Sequence, residues 1–150
     1  MYDRILLPTD GEAGAEEATR HAVNLASACD ATLHALYVVD EDVVGSYPGD
    51  EYVHEHEGAE AALEQVGEDA LAAIEDAAAS ADIDVTTALR HGSPATAIVE
   101  YADEVDADLV VVGTKSRPGD YRQLLGSVTE RVARLTERPV TIVKTELPVE

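Results

Sequence analysis

LVVVGTKSRPGDYRQLLGSVTERVARL, residues 109–135, sets three unlike pieces in succession. Leu109 to Val112 is an unbroken apolar run, as expected of a strand buried on both faces. Gly113 closes it, and a polar segment with Lys115, Ser116, Arg117, Gly119 and Arg122 follows. Gly126-Ser127-Val128-Thr129 then opens a helical pattern continued by Val132 and Leu135. A buried strand, a glycine-bearing loop and a helix start predict one arm of a parallel α/β crossover. They also predict an anion site. Glycine lets the backbone approach a phosphate, and the free N–H groups and positive dipole end of a helix start supply donors.

The same alternation extends in both directions. Ile5-Leu6-Leu7 ends at Pro8-Thr9-Asp10-Gly11, a strand and a turn. Ala15, Ala18, Ala22, Leu25, Ala26 and Cys29 recur at helical spacing, and Thr32 to Val39 makes a second strand. Residues 40–57, acidic and containing Gly45, Pro48 and Gly49, read as a long surface loop. A long helix follows, with Leu63, Val66, Ala70, Ile74, Ala77 and Ala81 as its predicted buried face. Ile83 to Leu89 is the third strand. Ser93 and Pro94, as cap and first residue, start a helix whose core face is Ile98, Ala102 and Val105. After the helix that starts at Gly126, Arg138-Pro139 forms a stop and Val140 to Val143 a fifth strand. Strands alternating with helices predict an α/β fold, a doubly wound five-stranded parallel sheet with helices on both faces, in one domain over residues 1–150. Ligands of such sheets bind beyond the carboxyl ends of the strands, at the switch point.

The formal charge is −21, with 31 acidic and 10 basic side chains, yet 45% of residues are hydrophobic. The acids interleave with apolar residues at helical spacing, so the charge belongs to the surface of a folded core and not to a disordered tail. Such a surface resembles that of proteins from salt-accumulating halophiles, where the short Debye length of molar salt screens self-repulsion. It argues against a nucleic-acid partner. Residues 1–112 carry 26 acidic and 3 basic side chains, whereas residues 113–150 carry 5 and 7. The cations thus gather at and after the glycine loop. Arg131, Arg134 and Arg138 complement the carboxyl end of the last helix, leaving Lys115, Arg117 and Arg122 as phosphate candidates. No segment has the length and apolarity of a membrane span, and the amino terminus lacks the pattern of a signal peptide. The expectation is a soluble cytoplasmic protein, with the lone Cys29 as a small core residue.

The loop is neither a Walker A motif nor a Rossmann fingerprint. Ile5 to Gly11, Leu36-Tyr37-Val38-Val39-Asp40, Gly92-Ser93-Pro94-Ala95, Val111 to Thr114, Leu124 to Val132 and Arg138 to Val143, in this order, resemble the universal stress protein family across the whole chain. The resemblance implies a sheet order of 3-2-1-4-5 and a two-fold homodimer through the last strand, residues 139–145. It also implies ATP, with Mg2+, as ligand. The ATP-binding branch has Gly-x-x-Gly, nine residues, then Gly-Ser/Thr. Gly113, the gap 117–125 and Gly126-Ser127 match, while Ser116 replaces the second glycine. A serine held at positive φ would cost about 1 kcal/mol, which is tolerable, whereas a Cβ aimed at the phosphates would block binding; Gly119, three residues on, can supply some of the lost freedom. Carried over by position, Asp10 would face the ribose, Pro8 and Thr9 the nucleoside, and Val38 the adenine. Gly113, Lys115, Ser116, Gly126, Ser127, Val128 and Thr129 would surround the phosphates.

Read without the family, Asp10 equally suits a helix cap, Val38 a core strand position, and Ser127 and Thr129 a helix start. His54-Glu55-His56 reads as a solvated loop, His21, His34 and His91 are dispersed in sequence, and no Gly-x-Ser-x-Gly elbow occurs. No catalytic residue and no metal site is therefore expected. The reading is an ATP-binding regulatory protein of stress responses and not an enzyme. The alternative is a dimeric stress-response scaffold of the same family that does not bind nucleotide. A slow ATP hydrolase would need a general base and metal ligands that the sequence does not single out.

Overall fold

The structure, a computed structural model, describes residues 2–11, 15–45, 53–116 and 126–146. In chain order these form β1 (Arg4–Thr9), α1 (Ala15–Cys29), β2 (Thr32–Asp40), α2 (Glu41–Gly45), α3 (Val53–Ser80), β3 (Val85–Gly92), α4 (Pro94–Glu104), β4 (Leu109–Ser116), α5 (Ser127–Leu135) and β5 (Val140–Glu146). All five strands are parallel, in the order β3-β2-β1-β4-β5. The α/β class and the strand order match the expectation.

Strand periodicity divides the core into two layers. Ile5, Leu7, Leu33, Ala35, Tyr37, Leu109 and Val111 point to one face and pack on Ala18, Ala22, Val23 and Ala26 of α1 and Leu71 and Ile74 of α3. Leu6, Leu36, Val110 and Val112 point to the other and meet Ala95, Ile98, Tyr101 and Ala102 of α4 and Val132 of α5. Helices on both faces make the sheet doubly wound. His34, on the second face, is partly buried, and its buried Nδ1 has no partner among the described residues; burial, then the nearby Arg4 charge, lowers its pKa.

Several boundaries differ from the sequence reading. The 40–57 segment is not all loop: Asp40 ends β2, residues 41–45 are helical, and α3 already begins at Val53. β3 starts two residues later than expected and runs on through His91 and Gly92, because Val38, Val39 and Asp40 keep pairing with it. β4 continues past Gly113 to Ser116, since Gly113 to Ser116 pair with Val143 to Glu146 of an equally extended β5. The buried face of α3 runs through Gly67, Leu71, Ile74 and Ala78, whereas Val66 is 40% exposed. Tyr37 explains the rotation: its ring lies so close to Gly67 that a Cβ there would overlap it. In α5 only Val132 of the expected stripe is fully buried; Val128 and Leu135 are exposed.

Three helices end in the same way. Asp30, Asp82 and Asp106 follow α1, α3 and α4 with φ of 54°, 57° and 54°. The next N–H in each case returns to the helix, Ala31 to Ala26, Ile83 to Ala78 and Ala107 to Ala102, at 2.9–3.0 Å. These are Schellman closures with aspartate in the left-handed place that glycine usually takes. Arg138, expected to complement the end of α5, instead bridges to α4: Nε donates to Asp103 at 3.2 Å and Nη1 to Asp106 at 3.2 Å and to the Ala107 carbonyl at 2.5 Å. Asp108 fixes the opposite side, accepting the Asp3 and Arg4 N–H groups at 2.8 and 2.9 Å, bonds that lower its pKa.

Candidate functional site

The switch point lies between β1 and β4. These strands pair at Ile5–Leu109 and Leu6–Val110, while β1 stays paired with β2 through Thr9–Tyr37. Beyond Leu6 the two central strands part, and Pro8, which has no N–H to give a ladder, sits in the part of β1 that leaves. The opening is a cleft of about 310 Å3, within the size range of small-molecule sites. Its floor is Leu7, Pro8 and Thr9 of β1, Leu36, Tyr37 and Val38 of β2, and Val112, Gly113 and Thr114 of β4. Ile98 of α4 and Val128 and Thr129 of α5 contribute one wall, and Ala18 of α1 and Leu63 of α3 another.

Of the expected site residues, Pro8, Thr9, Asp10, Val38, Gly113, Val128 and Thr129 all border this cleft. Gly126 and Ser127 immediately precede Val128 at the start of α5. Lys115 and Ser116 continue β4 beyond Thr114; their side chains, and Arg117, Gly119 and Arg122, lie outside the described residues. The backbone question at Ser116 has an answer. It pairs with Glu146 in the β4–β5 ladder, an extended conformation in which serine carries no left-handed penalty.

The two glycines of the motif act differently. Gly113 is a packing glycine: a Cβ there would stand 3.3 Å from the Ala18 Cβ. Gly126, the N-cap of α5, has φ −60° and ψ 152°, open to any residue. Among the described residues nothing lies within 4 Å of the place its Cβ would take. Neither backbone strain nor intramolecular packing among those residues demands a glycine at 126.

The donors around that space lie ahead of the helix's own hydrogen bonding. The first intrahelical bond of α5 runs from the Glu130 N–H to the Gly126 carbonyl at 2.9 Å, so the N–H groups of Ser127, Val128 and Thr129 precede it. The Thr129 hydroxyl is committed, donating to the Gly113 carbonyl at 3.2 Å and tying α5 to β4. Thr114 contrasts with it. The residue borders the cleft and is only 5% exposed, and its Oγ1 is itself buried with no hydrogen-bond partner among the described residues. A buried hydroxyl left unpaired costs about 1–3 kcal/mol, so rotation of the side chain toward the adjoining cleft would give a polar atom there a ready donor. The sequence reading passed over Thr114 as a strand residue beside a loop; the pattern Val-Val-Gly-Thr offered the signal, a hydroxyl at a core-facing strand position.

The other end of the cleft is acidic. Asp10 and Asp40, at the carboxyl ends of β1 and β2, border it. The turn after β1 is braced by the Gly11 N–H donating to Thr9 Oγ1 at 3.2 Å, with Gly11 at φ 71°. The cleft is thus polarised: carboxylates that accept hydrogen bonds at one end, N–H and hydroxyl donors at the other, and an apolar floor between. Such a site suits a ligand with hydroxyls, a flat apolar body and an anionic tail.

Comparison with known proteins agrees with the architecture. The family model described as the universal stress protein family matches residues 1–144. Universal stress protein MJ0531 of Methanocaldococcus jannaschii is 38% identical over 96% of this chain and 83% of its own. The universal stress protein UspA structure from Lactobacillus plantarum superposes with a TM-score of 0.81 at 28% identity, covering 95% of this chain and 97% of that one. A universal stress protein solved in complex with cAMP gives a TM-score of 0.67 at 29% identity, over 95% and 97% of the two chains. With the family model spanning nearly the whole sequence and the sheet order of the fold in place, this chain belongs to the universal stress protein family.

Proposed function

We propose that the chain binds an adenine nucleotide, ATP with Mg2+, in the cleft between β1 and β4, and acts as a dimeric cytoplasmic regulator through its nucleotide-bound state, without turnover. One observation carries the reading: Thr114, whose buried hydroxyl has no partner among the described residues, borders the same cleft as Val128 and Thr129, whose N–H groups, with that of Ser127, precede the first helical bond of α5. Phosphate oxygens satisfy donors of both kinds. Adenine would lie on Val38 and the apolar floor, with Asp10 accepting a ribose hydroxyl. The Gly126–Thr129 turn would hold the phosphates, with Gly113, Lys115 and Ser116 on β4 opposite. The relative solved with cAMP supports an adenine nucleotide as the ligand class. Mg2+ would travel with the triphosphate and offset its charge in a protein of net −21.

Calorimetry with Mg-ATP in molar KCl tests this. Gly126→Val places two methyl groups in space that no described residue occupies, where the phosphates would lie, so the fold is expected to stay intact while binding falls at least a hundredfold. Equal heats for both proteins would reject the placement of the phosphates. No heat from the wild type with ATP, ADP or AMP would reject nucleotide binding and favour the scaffold reading. Steady phosphate release would contradict the non-enzymatic part.

A further inference from the structure

Outside the cleft, the fold gathers three potential ligands that are far apart in sequence. Glu60 and Glu64 stand one turn apart on α3, and His91 projects from the carboxyl end of β3 toward the same face. His91 Nε2 lies 3.0 Å from Glu64 Oε1 and 3.4 Å from Glu60 Oε1, and the three atoms all fall within 4.8 Å of one another. His91, dispersed in the sequence reading, is brought here because β3 runs on to pair His91 with Val39. Its neighbour Arg90 turns to the opposite face, where it meets Glu104 at 3.3 Å and the Tyr101 ring at 5.1 Å.

We propose that Glu60, Glu64 and His91 form a binding site for a divalent transition-metal cation of the Zn2+ type. The separations carry the argument. Zn–N and Zn–O bonds of about 2.0–2.2 Å at tetrahedral angles put neighbouring ligand atoms about 3.3 Å apart, and two of the three separations here are 3.0 and 3.4 Å. Among the described residues, His91 is the basic group within ion-pair distance of both carboxylates. Its imidazole can meet them in two ways: as a cation, pairing with both, or neutral, presenting its Nε2 lone pair to a shared metal. The second arrangement neutralises two neighbouring carboxylates without charging the ring. An imidazole with two carboxylates favours Zn2+, Ni2+ or Co2+ over Mg2+, which takes oxygen ligands. The three side chains are about 40% exposed, so a water can complete the coordination.

The site joins two elements that flank the cleft. Leu63, adjacent to Glu64, borders the cleft, as does Asp40, which pairs with Gly92 next to His91. A bound cation would pin α3 to the end of β3 there, whether or not the cleft holds a nucleotide.

Titration of the metal-free protein with ZnCl2 in molar KCl, followed by calorimetry and by the visible absorption of Co2+ as a substitute, tests the proposal. The expected result is one strong equivalent per chain. His91→Gln and Glu64→Gln should each weaken it at least tenfold and abolish the Co2+ band characteristic of low coordination. Glu68→Gln, an exposed acid one turn further along α3, should leave both unchanged. MgCl2 should show no dependence on His91. Several weak equivalents, or a strong one that survives His91→Gln, would overturn the proposal and leave His91 as an ion-pair partner. Thermal unfolding of each metal-free variant verifies that the substitutions leave the fold in place.

Discussion

Thr114 and Thr129 show how two like side chains on facing elements take opposite parts. Thr129 donates its proton to the Gly113 carbonyl and closes α5 onto β4. Thr114 Oγ1 is buried with no partner among the described residues, so Thr114→Val is expected to raise the stability of the ligand-free protein by about 1 kcal/mol. The same change should weaken Mg-ATP binding about tenfold, the equivalent of one lost hydrogen bond. Chemical denaturation and calorimetry on one preparation read both effects. A loss of stability would mean the hydroxyl already has a protein partner, and an unchanged affinity would remove it from the phosphate site. This residue also marks how far the sequence reading reached. Gly126, Ser127 and the Pro8–Asp10 turn were legible because turn and cap chemistry is local. Thr114 was not, because its meaning depends on burial and on what Thr129 does across the gap. Ser116 was legible as a departure, but only the β4–β5 ladder shows that its backbone is extended.

Elements were read more securely at their centres than at their ends. Leu109 to Val112 and Ile5 to Leu7 announce buried strands by composition alone. The extension of β4 to Ser116 comes from pairing with β5, a tertiary fact. Likewise the alanine-rich α3 offers several candidate faces at helical spacing; the Tyr37 ring, seated on Gly67, selects one. The helix ends supply a prediction of their own. Aspartate at positive φ costs about 1–2 kcal/mol relative to an unstrained residue, and its charge opposes the negative end of the helix dipole. Glycine removes both penalties and adds about 0.5–1 kcal/mol of unfolded-chain entropy. Asp82→Gly is therefore expected to stabilise by about 0.5 kcal/mol. Asp106→Gly should destabilise despite the same backbone relief, because Asp106 also holds Arg138 at 3.2 Å and Arg4 at 3.7 Å. Paired urea denaturation curves give the two signs. Equal shifts would show that the bridges from Asp106 to Arg138 and Arg4 contribute nothing.

At the scale of the whole molecule, an open edge and a large charge work against each other. β5 pairs with β4 along one side and forms the edge of the sheet on the other, where unpaired backbone groups favour strand addition. We expect a two-fold dimer through residues 139–145, and Thr141→Asp, which sets like charges near the axis, to shift it to monomer. Light scattering in molar KCl reads this directly, and a wild-type monomer there would reject the interface. The opposing term is a net charge of −21 on a chain with a packed core on each face of the sheet. Self-repulsion of this size destabilises compact and paired states alike, and salt relieves it as the Debye length falls from about 10 Å at 0.1 M to about 3 Å at 1 M. The melting temperature should therefore climb steeply between 0.1 and 1 M KCl. Screening and dimerisation separate by protein concentration: a dimer's melting point rises with it, while intrachain repulsion does not depend on it. For Thr141→Asp, which lacks the dimer, the climb with KCl should persist and the concentration dependence should vanish. A melting temperature indifferent to KCl in both proteins would refute the view that this acidic surface is built for concentrated salt.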